Sequence, residues 1–474
     1  MLRTGRRGDF GAMIRLFGHY FSRAILGLAV AETGILLASI YGAQSLRLSL
    51  ADLSEASLDD STGAYIIFVG TIQIVMLILG LYQRDTCRDL RKTVVTASAA
   101  FALSALILAL IFFLYPPIAL WRSIFVSAVL LAFAAILVAR LLFLRLIALD
   151  VFKRRLLVLG AAHLAGRIAE VQKASRSRGF GQISYVRMNR EEPEVSPVIE
   201  RGEIGVLRDF ALAHEIDEIV TALAERRGSL PVRDLLDCRL AGIRITEYGA
   251  FMERETGKID LEGFVPSWLI YSEGSTRAQA RLLLKRGVDL LASAALVTVT
   301  APVVLLTALL IRLTSPGPVL FRQERVGQHG RVFMLYKFRS MRIDAEAGGV
   351  PRWADKNDPR VTTVGRVIRK LRIDELPQIF NVLKGDMSFV GPRPERPFFV
   401  DELSRQLPYF SERHTVRPGI TGWAQVNYPY GASVEDAKQK VQYDLYYIKN
   451  FSVFLDILIL IKTFRVILFP SGAR

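Results

Sequence analysis

Four long apolar stretches in the first third of the chain limit what it can fold into more than any other feature. They run from Ala24 to Leu46, Ser61 to Gln83, Thr93 to Trp121 and Ser123 to Ala139. A helix needs about 20 apolar residues to cross a hydrocarbon core, so residues 1–150 are expected to form a four-span transmembrane domain. Composition agrees: of 474 residues 51% are hydrophobic and 22% charged, too apolar for disorder or for a simple soluble enzyme. The length calls for two or three domains. The +16 balance arises from basic residues that flank apolar runs and do not form one tract. It therefore points to an anionic membrane surface and phosphorylated substrates, with no nucleic acid as partner. Two cysteines, Cys87 and Cys238, argue against a disulfide framework or a thiolate metal site. No removable signal peptide is expected among the early arginines Arg3, Arg6, Arg7 and Arg15.

The flanking charges alternate. Arg23 and the arginines before it precede the first span, Asp52, Glu55, Asp59 and Asp60 follow it, and Arg84, Arg88, Arg91 and Lys92 follow the second. Only Arg122 separates the third and fourth, after which come Arg140, Arg145, Lys153, Arg154 and Arg155. The bias of Lys and Arg toward the cytoplasm places the N-terminus, the second loop and everything beyond about residue 150 on that side. The expected topology is multi-pass, with the chain returning after four spans to the side on which it starts. Glu32, inside the first span, is expected to face the bundle and find a partner there.

Residues 155–160 read as a buried strand followed by a helix from Ala162 to Val171, with further strands at 183–187, 217–222 and 243–247. Alternation of this kind predicts a Rossmann-like α/β domain over 151–275. Its nucleotide fingerprint is degenerate, since Gly160-Ala161-Ala162-His163-Leu164-Ala165 keeps only the first glycine. A regulatory or dimerising role, with a homodimer as the assembly to look for, is favoured over nucleotide binding.

Leu290 to Ile311 is a fifth apolar run, interrupted by Ala301-Pro302, with Lys285 and Arg286 before it and Arg312, Arg322 and Arg325 after it. Basic residues at both ends assign both to one side. A helix that breaks at Pro302 and returns satisfies this and is favoured, while by length the run also reads as a fifth, proline-kinked span. The last run, Phe451 to Phe469, carries Asp456, Lys462 and Arg465 and suits an interfacial helix.

Between these lies a basic, Gly- and Pro-rich block. Its sharpest local signal is Arg369-Lys370-Leu371-Arg372-Ile373-Asp374-Glu375-Leu376-Pro377. Leu376, Ile379, Phe380 and Leu383 share one helical face, and Pro377 is tolerated only in a first turn, so a helix is expected to start here and end at Gly385. Two readings of the acids stay open on spacing alone. Asp374 could cap the helix while Glu375 complements its dipole. Alternatively Asp374 is a carboxylate nucleophile and Glu375 a neighbouring acid or base, with Arg369 and Arg372 at hand for phosphate.

The block resembles the bacterial sugar transferase family, the polyprenyl-phosphate hexose-1-phosphate transferases. The resemblance rests on Ser315-Pro316-Gly317-Pro318, Gln323-Glu324-Arg325-Val326-Gly327, Lys337-Phe338-Arg339-Ser340-Met341 and Asp374-Glu375-Leu376-Pro377-Gln378. It continues through Asn381 to Ser388, Val390-Gly391-Pro392-Arg393-Pro394 and Arg417 to Trp423. Together with the spans and middle domain, the chain is similar to the long, exopolysaccharide-initiating form of that family. The resemblance implies a monotopic, mostly α catalytic domain over 276–474, with a re-entrant helix at 286–312 broken at Pro302 and an interfacial helix at 451–469. Ala301 stands where relatives often carry serine.

It also implies transfer of hexose-1-phosphate, glucose or galactose being the expected sugar, from a UDP-hexose to polyprenyl (undecaprenyl) phosphate in the membrane, with release of UMP. Asp374 and Glu375 become the catalytic pair. Arg369, Arg393, Lys337 and Arg339 become the phosphate-binding set, and Mg²⁺ the cofactor, with Asp374 as its ligand. Two other classes compete. A membrane-anchored nucleotide-sugar dehydratase or epimerase would need an intact glycine fingerprint and a Tyr-x-x-x-Lys pair, and neither is found. A non-enzymatic polysaccharide assembly scaffold leaves the arginine-rich block without a purpose.

Overall fold

The computed structural model describes residues 13–16, 19–51, 62–83, 86–148, 153–174, 180–188, 192–225, 229–263, 276–342, 360–429, 431 and 433–468. They fall into two compact units, one formed chiefly by Tyr20–Glu255 and one by Thr256–Arg474. Arg3, Arg6, Arg7, Arg84, the acidic residues Asp52, Glu55, Asp59 and Asp60, and the expected boundary at 275/276 lie outside the described residues.

Two short strands, Met13–Leu16 (β1) and His19–Ser22 (β2), precede four apolar helices of the first unit, His19 itself grouping with the second. These are Arg23–Ala51 (α1), Thr62–Ile78 (α2), Leu90–Leu114 (α3) and Arg122–Ala148 (α4). All four expected spans are helical. Within them Arg23–Ser49, Leu90–Leu114 and Arg122–Leu146 are long and apolar enough to cross a membrane, while α2 is shorter at 17 residues. The third ends earlier than the apolar run suggests, because Pro116 and Pro117 cannot continue a helix and form a separate 3-10 turn. Fully buried Ala97, Ala100, Ala128 and Ala132 let the helices approach closely. Val30, Ile66, Leu106, Phe113 and Leu130 point outward, as fits a membrane protein.

Glu32 does find its partner. Arg140 Nε lies 2.7 Å from its Oε1 and Nη2 3.1 Å from Oε2, while Nη1 donates to Leu81 O at 2.9 Å. The sequence places Arg140 among the flanking cations; the structure instead turns it inward, because α4 runs on past Ala139 to Ala148.

Five parallel strands follow: Arg154–Leu159 (β3), Phe180–Arg187 (β4), Val198–Glu200 (β5), Glu218–Thr221 (β6) and Arg244–Glu247 (β7), ordered β5-β4-β3-β6-β7. His163–Ala174 (α5), Leu207–Ala213 (α6), Val232–Leu240 (α7) and Tyr248–Thr256 (α8) alternate with them. Leu157 and Leu159 join one core and Leu156 and Val158 another, so β3 is buried on both faces. Three-residue β5 is too short to carry a sequence pattern. Gly160 sits at φ +127°, and a Cβ there would run into Ala222 O. The glycine is therefore required by the close approach of the chain after β6, whether or not a nucleotide ever binds.

The second unit begins before the expected boundary: Trp423 donates to Gly257 O at 2.8 Å, and Ile259 and Leu261 pack in its core. Thr276–Thr314 (α9) is a 39-residue helix with Pro302 inside it. The sequence predicts helix, break, helix; the helix continues through Pro302. Proline removes one N–H and crowds one carbonyl, which bends a helix without having to end it. Both halves of α9 rest on this unit. Lys285 reaches Asp456 at 2.6 Å and Arg286 the carbonyls of Val382 and Leu383, while Val304, Ala308 and Ile311 pack around Phe338 and Ile368.

Leu320–Val326 (β8) and Val332–Phe338 (β9) form an antiparallel hairpin. After it come Thr363–Lys370 (α10), Gln378–Lys384 (α11), Ser388–Val390 (β10), Pro397–Gln406 (α12), Gly419–Thr421 (β11), Trp423–Asn427 (α13), Val434–Lys449 (α14) and Val453–Leu468 (α15). β10 and β11 are parallel. On α15 the charges expected at a lipid surface face protein: Asp456 meets Lys285, and Lys462 meets Asn427 at 3.1 Å and the Trp423 ring at 4.2 Å.

Candidate active site

Three local devices bring the site together. Thr362 caps α10 by accepting from Gly365 N at 2.9 Å, and its own N donates to Ser340 O at 3.0 Å. A Cβ on Gly365 would run into Ser340 O, so only glycine lets α10 lie against the end of β9. Asn381, fully buried on α11, accepts from Tyr336 N at 3.1 Å and donates to Met334 O at 2.7 Å. That grip fixes β9 on α11 and brings Lys337 beside Glu375. Gly391, Gly419 and Gly422 meet backbone to backbone where β10 and β11 end, which sets the start of the Pro392-Arg393-Pro394 segment.

Between α10 and α11 the chain makes a 3-10 turn, Ile373–Glu375, entered through Arg372 in the left-handed region at φ 58°. The helix therefore starts at Gln378 with Pro377 before it, three residues later than a cap at Asp374 would place it, and ends at Gly385 as expected. The later start leaves Asp374 away from the N-cap position that one of its two readings requires. It is buried, caps neither turn nor helix, and its Oδ1 has no hydrogen-bond partner among the described residues. The shift also turns Phe380 and Leu383 outward, contrary to expectation, and leaves Ile379 and Val382 as the buried apolar pair.

Glu375 is the opposite case. Lys337 Nζ lies 3.0 Å, Arg393 Nη2 3.2 Å and Arg372 Nη1 3.8 Å from the same oxygen, Oε1. Burial alone would raise its pKa, but Lys337, then Arg393 and Arg372, outweigh it and hold the carboxyl well below the usual range. Asp374 moves the other way. Burial first, then the charge of Glu375, raise it against the pull of Lys337, Arg372 and Arg369. Burial and Arg393 lower Lys337, with Glu375 opposing. Of two adjacent acids, one is kept ionised and occupied, and the other is strained toward neutrality and left open.

Of the expected phosphate ligands, Arg393 and Lys337 meet at Glu375. Arg369, half-buried in the last turn of α10, faces Asp374 closely enough to act on its charge. Arg339 does not join them. It is buried, and its guanidinium donates to Ser315 O at 2.9 Å, Ser315 Oγ at 2.7 Å and Pro316 O at 2.7 Å. Its donors close the turn after α9, whose carbonyls have no helical partner. Asn381 carried no spacing signal for its role; a polar residue on the buried face of a short helix was the only hint.

Residues 280–470 match the family model described as bacterial sugar transferase. A relative from Caulobacter vibrioides, named UDP-glucose:undecaprenyl-phosphate glucose-1-phosphate transferase, is 43% identical over 193 residues, covering 40% of this chain and 72% of its own. The chain belongs to the bacterial sugar transferase family. A UDP-N-acetylgalactosamine-undecaprenyl-phosphate N-acetylgalactosaminephosphotransferase of Aeromonas hydrophila is 45% identical over 285 residues, or 60% of this chain and 63% of that one. An undecaprenyl-phosphate glucose phosphotransferase of Komagataeibacter xylinus is 37% identical over 322 residues, 65% of this chain and 60% of that one. The chain thus spans somewhat under two thirds of the length of these last two sugar transferases.

Proposed function

We propose that the protein transfers a hexose-1-phosphate from a UDP-sugar to polyprenyl phosphate, releasing UMP, as the first membrane step of exopolysaccharide synthesis. The observation that carries this is the buried Asp374 carboxylate, whose Oδ1 has no hydrogen-bond partner among the described residues, with Arg369 and Arg372 near enough to act on its charge. The Asp374 oxygen attacks the sugar-bearing phosphorus, the bond from that phosphorus to the bridging oxygen breaks, and UMP leaves with the electron pair. An oxygen of the lipid phosphate then attacks the same phosphorus and returns Asp374 to a carboxylate. Each step brings anion toward anion, so fixed cations are needed. Arg369 and Arg372 are open to the donor phosphates, and Lys337 and Arg393 are held in place by Glu375 until substrate arrives. Glu375 acts in this reading as a counter-ion that orders cations, since so low a pKa suits it poorly to proton transfer.

The donor set fits a hard divalent cation. Mg²⁺ is commonly held by one or two carboxylates plus substrate phosphates, and Asp374 Oδ1 is a buried carboxylate oxygen that accepts no hydrogen bond from the described residues. When bound, Mg²⁺ would screen the pyrophosphate charge. Two relatives are named for glucose and one for N-acetylgalactosamine, so UDP-glucose and UDP-N-acetylgalactosamine are the donors of choice; galactose has no such support.

A re-entrant course for α9, with the catalytic unit on the cytoplasmic face of the inner membrane, accords with the basic residues at both its ends. It is supported by the packing of both halves on one unit, although a straight helix would set Lys285 and Ile311 about 39 Å apart. Leu291, Val299 and Leu305 between them are exposed, and so are Val367, Leu371 and Phe380 around the Asp374 turn, as befits a site at the lipid surface. The middle sheet is proposed as a Rossmann-like domain with a regulatory or dimerising role. The decisive experiment incubates purified protein with UDP-glucose or UDP-N-acetylgalactosamine and Mg²⁺ and follows UMP. Mass spectrometry should find a sugar-phosphate adduct on Asp374. Adduct formation on another residue would overturn the assignment.

A further inference from the structure

The Pro392-Arg393-Pro394 segment poses a physical problem. Two prolines remove two N–H groups, so no regular ladder can hold the segment. It is held through its carbonyls, by donors from different elements. Val390 O accepts from Lys285 Nζ at 3.0 Å and Tyr447 OH at 3.1 Å, and Pro392 O from Gly419 N at 2.9 Å. Arg393 O accepts from Arg413 Nη2 at 2.9 Å, Pro394 O from Arg325 Nη1 at 3.0 Å, and Glu395 O from Val326 N at 2.9 Å.

One of these bonds bears directly on the reactive centre. Arg393 presents its guanidinium to Glu375 while its own carbonyl is gripped by Arg413. Arg413, 5% exposed, is fixed in turn by Asp444 of α14, 1% exposed, at 2.9 Å. The Phe410 ring lies 4.9 Å from the Arg413 guanidinium. A buried ion pair adds little net stability over a well-packed apolar pair, so what this pair contributes is position. We propose that Arg413, held by Asp444, is the positioning residue for Arg393, fixing the backbone from which that guanidinium reaches the donor's phosphates. This rests on the sugar-phosphate transfer proposed above and adds to it two residues, distant in sequence from the acids, that touch no substrate.

The groups facing Asp444 are Arg413, Glu395 and, from its own helix, Lys440. Burial pushes its carboxyl up to about 6 against the pull of Arg413. At pH 7 the pair is ionised; as pH falls below about 6, Asp444 takes up a proton and Arg413 loses its counter-ion.

The test compares wild type, Asp444→Asn and Arg413→Lys as full chains in lipid nanodiscs, by UMP release and by calorimetric binding of UDP. Asp444→Asn should raise the donor KM about tenfold, equivalent to about 1.4 kcal/mol, with kcat within about twofold of wild type. UDP should bind about tenfold more weakly. Wild-type KM should climb as pH drops below about 6, whereas that of Asp444→Asn is already high and flat. Arg413→Lys, which keeps one donor of the fork, should fall between. Wild-type KM, UDP affinity and pH dependence in Asp444→Asn overturn the inference. So does a loss of kcat in step with folded protein at unchanged KM, which marks a purely structural pair. A wild type that binds UDP but never releases UMP defeats the proposed activity, and the UDP arm still judges the positioning role.

Discussion

Glu218 in the parallel sheet and Asp374 in the second unit are both buried carboxylates, yet they are treated in opposite ways. Both oxygens of Glu218 are taken: Oε1 by Arg254 Nη1 at 2.7 Å and by Thr246, Oε2 by Arg254 Nη2 at 3.0 Å and Arg154 Nη1 at 3.2 Å. Burial raises its pKa, but Arg254 and then Arg154 outweigh that and hold it below the usual range. Asp374, similarly hidden, has an oxygen without a hydrogen-bond partner among the described residues and a pKa displaced upward by burial and by Glu375. A protein seldom leaves a buried acceptor unpaired, because the desolvation is uncompensated. Burial alone does not tell these two acids apart; the groups that meet their oxygens do.

The largest expected effect breaks the comparison at Asp374. Asp374→Asn should lose at least about a thousandfold in UMP release, the scale set by removing a covalent nucleophile. Its thermal midpoint should equal or exceed that of wild type, because a buried carboxylate biased toward neutrality is replaced by a neutral amide. Retained activity would return Asp374 to a structural role. Glu218→Gln should do the reverse, costing about 3 kcal/mol in denaturant unfolding because Arg154 and Arg254 are left with too little counter-charge. Donor KM measured on the remaining folded protein should not change.

Arg339→Gln comes next. Three donor contacts to Ser315 and Pro316 vanish from a buried site, and about 2 kcal/mol of stability should go with them. An Arg339→Gln protein of normal stability and raised donor KM would restore the phosphate-binding role that its sequence position suggests.

The coarse architecture was legible because periodicity and length report burial directly: the four N-terminal helices, four of the five parallel strands and the Gly385 stop follow from them. The Asp374-Glu375 pair was also visible, with the family pattern around it. What escaped was three-dimensional satisfaction. Arg339 and Arg393 stand in similar basic, Gly- and Pro-rich settings, and only the fold shows that one is spent on a turn while the other reaches Glu375. Arg140 looked like a flanking charge because its partner Glu32 lies three helices away. The start of α11 was misplaced because Arg372 adopts a left-handed conformation, which an arginine does not announce. Arg413 and Asp444, 31 residues apart, gave no local sign of meeting.

The smallest predicted effect is also the sharpest on the comparison, since it separates the two adjacent acids. If Asp374 must be ionised to attack, activity falls on the acid side as pH drops through its pKa, a limb displaced above the usual carboxylate range by burial and by Glu375. Glu375, held ionised by Lys337 and Arg393, contributes no limb of its own. Glu375→Gln removes one of the influences that raise Asp374, so the acid limb should move to lower pH even as the plateau drops. The same change removes the anion that supports the charge of Lys337, which burial and Arg393 already lower. Any alkaline limb due to Lys337 should therefore move down as well, and the whole profile should slide toward acid. A proton-transfer role for Glu375 predicts something different, a limb that disappears. Measuring kcat/KM from pH 5 to 10 for both proteins, on preparations of matched adduct-forming capacity, distinguishes a profile that slides from one that loses an edge.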